Sequence, residues 1–257
     1  MKAIFIIYAF LACLFAQAQK TIQSGVFRWE DHPVNKKSDR EGRKIFEGSS
    51  PHFSYVEIHA TTQFKGAKPS PAHASEDIEE VIIVKEGLMK VTVEGVSQTI
   101  GARGVILLMP QQMHSIQNIG DGPLTYYVMR YRSKKPMDIA RGQKSGGTLV
   151  LNNDSLTYKT KSDGKKGGTP YFDRSTAMCQ RFEMHITQLN VKGPSHKPHE
   201  HVESEIILIL EGETEMTING KNYKAKAGDF YYANSWESHG ISNSSDAVCS
   251  YFAFKWE

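Results

Sequence analysis

The sequence predicts an all-β protein made of two copies of one domain, each a sandwich or a barrel, and three observations predict it. The chain repeats itself at a nearly fixed offset. Its apolar residues fall into short runs separated by glycine turns, and no segment holds a clean helical period over three turns. The length of 257 residues is enough for two modest domains with real cores. With 39% hydrophobic and 23% charged residues, and 31 Lys+Arg against 28 Asp+Glu, the composition is that of an ordinary folded protein. A formal charge of +3 with no long basic block gives no electrostatic reason to expect a nucleic acid or an anionic membrane as partner.

The elements follow in chain order. Lys2 precedes an uncharged apolar run from Ala3 to Ala16, and Ala16-Gln17-Ala18 has the small-x-small pattern of a signal-peptidase site. The run is shorter than the ~20 residues a membrane-spanning helix needs. Residues 1–18 are therefore read as a cleaved signal peptide, and the mature chain is expected to be secreted or periplasmic, with no membrane association after cleavage. Cys13 is a poor match to a lipoprotein site. Cys179 and Cys249 are then the only thiols of the mature chain, either paired or buried separately.

The duplication comes next. Phe46-Glu47-Gly48-Ser49 and Glu57-Ile58-His59 return as Phe172-Asp173-Arg174-Ser175 and Glu183-Met184-His185 at an offset of 126, and His73 falls on His199 at that same offset. After a one-residue slip, Gly87, Gly95, His114, Asn118 and Tyr126 meet Gly212, Gly220, His239, Asn243 and Tyr251 at 125. Strands are expected at Val81–Val84, Met89–Val93 and Val105–Met109, and again at Ile206–Leu210, Glu215–Ile218 and Asp229–Tyr232. Residues 19–140 are assigned to the first copy and 169–257 to the second. Residues 141–168, rich in Lys, Gly, Ser and Asn, form the linker, with one further strand at Thr148–Leu151.

In the second copy Gly193, His199, His201, Glu205 and Gly212 have the spacing G-x5-H-x-H-x3-E-x6-G, and Gly228, His239 and Asn243 follow as G-x10-H-x3-N. On one strand, alternation places His199 and His201 on the same face, and Glu205 shares their parity. Three imidazoles and a carboxylate suit a divalent transition metal (Mn, Fe, Ni, Co, Cu or Zn) with one or two positions left open. A lone H-x-H reads as an exposed polar loop; Glu205 and His239 at these distances overturn that reading.

These two motifs resemble those of the cupin superfamily. The resemblance covers about residues 40–135 and 170–257. It implies a jelly-roll barrel per copy, hence a bicupin, with His199, His201, Glu205 and His239 as metal ligands and Glu205 also as proton acceptor. Asn234 stands where a Pro is usual and Trp236 where a Gly is usual. Trp236 is expected to wall the pocket instead. The first copy keeps His73 and His114 but has Ser75 in place of the second His, and its carboxylate is either Glu79 or Glu80, so a weaker metal site is expected there.

Arg181, Glu183 and His185 are read either as strand residues making cross-strand hydrogen bonds or as groups near the metal that orient a ligand or bind substrate. The resemblance alone does not name a reaction; the open metal site leads to the expectation of a metal-dependent enzyme, of dioxygenase, aminohydrolase or isomerase type, acting on a small organic molecule, and the resemblance makes a homodimer plausible. The single intact C-terminal site also resembles the layout of ureidoglycine aminohydrolase. The alternative is a non-catalytic protein that binds a sugar or metabolite in the barrel.

Overall fold

Four successive apolar residues on a strand cannot all face one core, so Val81-Ile82-Ile83-Val84 requires a sheet covered on both sides. The computed structural model, which describes residues 20–257, has this arrangement. Ile82 and Val84 point into the first barrel, while Val81 and Ile83 join a core shared between the barrels. In the second copy Ile207 and Ile209 face inward, and Ile206 and Leu208 face the shared core. The signal-peptide reading, and Cys13 with it, lies outside the described residues.

Each barrel pairs a seven-stranded antiparallel sheet with a smaller one. In the first, the large sheet runs Leu149–Leu151, Val105–Leu108, Glu79–Glu86, Leu124–Ser133, Phe53–Gln63, Arg40–Gly48, Asn35–Lys36. In the second it runs Gly25–Phe27, Phe230–Ala233, Ser204–Glu211, Cys249–Trp256, Phe182–Leu189, Lys166–Arg174, Lys159–Thr160. The large sheets lie back to back. Phe53 of one barrel stacks on Trp256 of the other with ring centroids 5.1 Å apart and planes inclined by 8°. Three of the four aromatic residues of the final strand, Phe252, Phe254 and Trp256, thus belong to the core between the barrels, while Tyr251 faces into the second barrel.

The division of the chain differs from the sequence expectation at both boundaries. Gly25–Phe27, assigned above to the first copy, pairs with Tyr232 to Phe230 and completes the sheet of the second. The Trp29 amide donates to the Asp229 carboxylate at 2.8 Å, fixing that crossing. Within 141–168, Leu149–Leu151 pairs with Leu107 to Val105 of the first barrel, and the segment from Lys159 onward belongs to the second. The physical reason is the same in both cases: an apolar strand covers an edge that would otherwise expose unpaired backbone groups. The helix Ile139–Lys144 is one and a half turns long, capped by the Asp138 side chain accepting from the Arg141 amide. Cys179 and Cys249 are both buried and unpaired. Among the described residues no helix is long and apolar enough to cross a membrane.

Candidate metal centre

The C-terminal site is assembled by backbone pairing between distant segments. His199 and His239 form an antiparallel bridge, each amide donating to the other's carbonyl at 3.0 and 2.9 Å. His239 begins the strand His239–Asn243, and Glu205 is the second residue of Ser204–Glu211, on the inward face with Ile207 and Ile209. The sequence expectation of one strand carrying both His199 and His201 is corrected: His199 makes a single bridge, and His201 lies in the turn before Ser204. A curved loop, rather than strand alternation, brings the two rings together. The three imidazoles offer nitrogens within 4.8 Å of one another, and Glu205 Oε2 lies 2.8 Å from His239 Nε2 and 3.5 Å from His201 Nε2.

Hydrogen bonds fix which nitrogen faces the cavity. His201 Nδ1 donates to the Glu203 carbonyl at 3.0 Å and His239 Nδ1 to the Glu237 carbonyl at 2.7 Å, which directs both Nε2 atoms inward. His201 Nε2 is buried without a hydrogen-bond partner. A buried nitrogen without a partner costs stability unless something fills its coordination direction. Three imidazoles, one carboxylate and that orphaned atom fit a divalent first-row cation. Burial pushes the Glu205 carboxyl up, but the neighbouring His201 and His239, the latter hydrogen-bonded to it, outweigh burial and hold the group well below the usual carboxylate range. Burial likewise pushes His239 down, yet its bond to Glu205 leaves it above the ordinary histidine value. His199 is lowered by burial and by its histidine neighbours.

The cavity has a volume of about 230 Å³. Ile207, Ile241 and Ala253 form its apolar wall, and His185, His196 and Lys255 add polar groups. His185 Nδ1 lies 3.1 Å from Glu183, which is held down at about 2 by that bond, and Lys255 Nζ is 3.3 Å from the other Glu183 oxygen. Arg181 does not line the cavity. It pairs with Asp173, Glu183 and Glu203 at 2.6 to 2.8 Å, and Glu203 is the residue against His201 Nδ1.

Trp236 is corrected as well: its side chain is 63% exposed and outside the pocket. Its φ of +62° is the left-handed conformation that explains why glycine is usual there, and its amide donates to the His201 carbonyl at 2.8 Å. Asn234 has a positive reason to replace proline. Its amide donates to Ser24 Oγ at 2.9 Å and its side chain to the Ile22 carbonyl at 3.3 Å, anchoring the leading segment. Proline offers neither donor.

In the first barrel His73 and His114 form the same bridge, and Glu80 joins them within 4.8 Å. Glu79 is excluded by parity. It faces the other barrel, where it accepts from Tyr131 Oη (2.9 Å), Thr176 Oγ1 (2.5 Å) and the amides of Ala177 and Met178 (3.1 and 3.3 Å). Burial raises its pKa. The surrounding cavity is about 310 Å³. Arg130, which the sequence reading did not single out, lines it beside His59 and Glu80.

Comparison with known proteins agrees with this architecture. The Cupin domain family model matches residues 62–130 and 185–255. The structure is similar to protein Ylba from E. coli (TM-score 0.69, 14% identity, 95% of this chain and 96% of that one). It is also similar to oxalate decarboxylase from Lactobacillus farciminis in a formate complex (0.68, 13%, 93% and 87%). A third likeness is to AerE from Microcystis aeruginosa (0.67, 14%, 88% and 97%). A comparison with curated protein sequences finds no match.

Proposed function

Starting from the fact that this chain belongs to the cupin family, we propose that it is an exported metal-dependent enzyme whose C-terminal barrel acts on a small organic acid or related oxygen-bearing molecule. His199, His201, Glu205 and His239 would hold the cation. When bound, such an ion polarises a carbonyl or carboxylate oxygen and lowers the pKa of water. The observation that carries the reading is His201 Nε2, buried among three other donors with no partner of its own.

The chain's own groups divide the remaining tasks. Ile207, Ile241 and Ala253 exclude water from one side of the cavity. Lys255 and His185, held on opposite oxygens of Glu183, present positive charge and a hydrogen-bond donor to a substrate oxygen. In the metal-free chain a proton lies between Glu205 and His239, 2.8 Å apart, and it leaves when the cation binds; Glu205, the one carboxylate of the set, is then the group that can accept a proton. The formate complex of the similar oxalate decarboxylase is in keeping with a small carboxylate as ligand. Export rests on residues 1–18, and amino-terminal sequencing of the protein recovered outside the cytoplasm tests it.

Elemental analysis of the mature protein tests the centre. One transition metal per chain, lost on His201→Ala, supports the reading. A metal-free protein that still binds a sugar or metabolite in the barrel supports the non-catalytic alternative instead.

A further inference from the structure

The two barrels differ in where their positive charge comes from. Arg130 and Lys255 occupy equivalent places: each lies opposite the inward carboxylate of its barrel, Glu80 or Glu205, and opposite Glu57 or Glu183 on the other side. Their side chains act differently. Lys255 turns to Glu183 and leaves Glu205 to the histidines. Arg130 donates from Nε to Glu80 Oε1 at 3.2 Å and from Nη2 to Ser75 Oγ at 3.4 Å, and its Nη1 lies 3.7 Å from Glu57 Oε2.

Ser75 is the position equivalent to His201. The small side chain leaves room that the guanidinium fills, and the charge goes to the same carboxylate that a cation would neutralise. Glu80 is 4% exposed, and a carboxylate this buried needs a permanent partner. A guanidinium remains protonated at any physiological pH; bonded to Glu80 Oε1, it repels a second cation placed against the Oε2 that faces His114, 3.7 Å away.

We propose that Arg130 is a built-in cation that replaces the metal in the N-terminal barrel. That barrel therefore takes up no transition metal, although His73, Glu80 and His114 are close enough to ligate one. The distance between donors is satisfied; the charge already present excludes the ion. The inference does not depend on the C-terminal reading.

The test uses Co(II) as probe, read by metal content and by its visible absorption, on the full mature chain. His201→Ala/His239→Ala protein is expected to retain no stoichiometric Co(II). Adding Ser75→His and Arg130→Lys, which copies the C-terminal donor set, is expected to restore one ion per chain. Stoichiometric Co(II) in the His201→Ala/His239→Ala protein that disappears on Glu80→Gln overturns the proposal, and so does a folded four-site variant that binds none. Should the four-site variant fail to fold, as judged by its circular dichroism, the titration of the His201→Ala/His239→Ala protein decides alone. A wild-type chain that binds no Co(II) defeats the function proposed above but leaves this comparison intact.

Discussion

The two barrels share a strand order, a histidine bridge and an inward carboxylate, yet only the second presents a complete ring of metal donors. Two equivalent pairs account for the difference, Ser75 against His201 and Arg130 against Lys255; a third, Glu79 against Ser204, distinguishes the halves at the interface instead. None of them disturbs a strand. The barrel thus tolerates exchange of part of its site chemistry, because the shared core and the apolar clusters inside each barrel hold the fold without the exchanged groups.

The comparison is most sharply broken by removing one histidine from each half. His239→Ala is expected to abolish metal uptake and activity, whereas His114→Ala leaves the metal content unchanged; elemental analysis of the two variants checks this. Next in size is the interface. Glu79→Ala strands the Tyr131 and Thr176 hydroxyls and two amides in a buried place, and should cost about 3 kcal/mol or more in urea unfolding. Ser204→Ala, at the equivalent position, removes a hydroxyl that, among the described residues, interacts only with the Tyr232 hydroxyl and should cost far less. Metal content should not change in either.

A smaller effect belongs to the C-terminal half alone. Arg181→Ala frees Glu203, the neighbour of His201, and is expected to weaken metal affinity by roughly 10-fold without loss of fold, as measured by competition with a chelator.

Proton linkage separates the halves further. His239 has a raised pKa, so the stabilising pair it makes with Glu205 in the metal-free chain is fully present below the ordinary histidine value and is lost as pH rises through the raised one. A cation must displace that proton. Metal affinity should therefore climb with pH across this window, with release of about one proton per ion just above the ordinary histidine value, seen by calorimetry in buffers of different ionisation heat. His199, already lowered, adds none there. The smallest effect is Trp236→Gly: relief of the left-handed backbone outweighs the loss of an exposed ring, and stability should rise by about 0.5 kcal/mol.

What was legible in the sequence follows from these interactions. The duplication and the unbroken apolar runs were enough for two all-β halves, because burial on both faces leaves a continuous signature, and the resemblance of the two motifs supplied the barrel shape. The four C-terminal donors were visible as a motif. The choice between Glu79 and Glu80 was not, since a one-residue slip between His73 and Gly87 permits both until the facing of Val81 and Ile82 is known. Gly25–Phe27 is too short to declare its partner. Arg130 belongs to no motif, and its role appears only when the register places it across from Glu80; the substitution of Lys255 by Arg at the repeat offset was the available signal.

Gly25–Phe27 also ties the two ends of the molecule together, since Trp29 meets Asp229 200 residues further on. During synthesis this strand emerges early and waits for the last barrel to be made before it can dock. The polypeptide is thereby buckled head to tail, and a nick between the halves would leave them fastened. A shortened form that begins after Phe27 would carry an open margin along Phe230–Ala233, ready to recruit a strand from another molecule and so to aggregate.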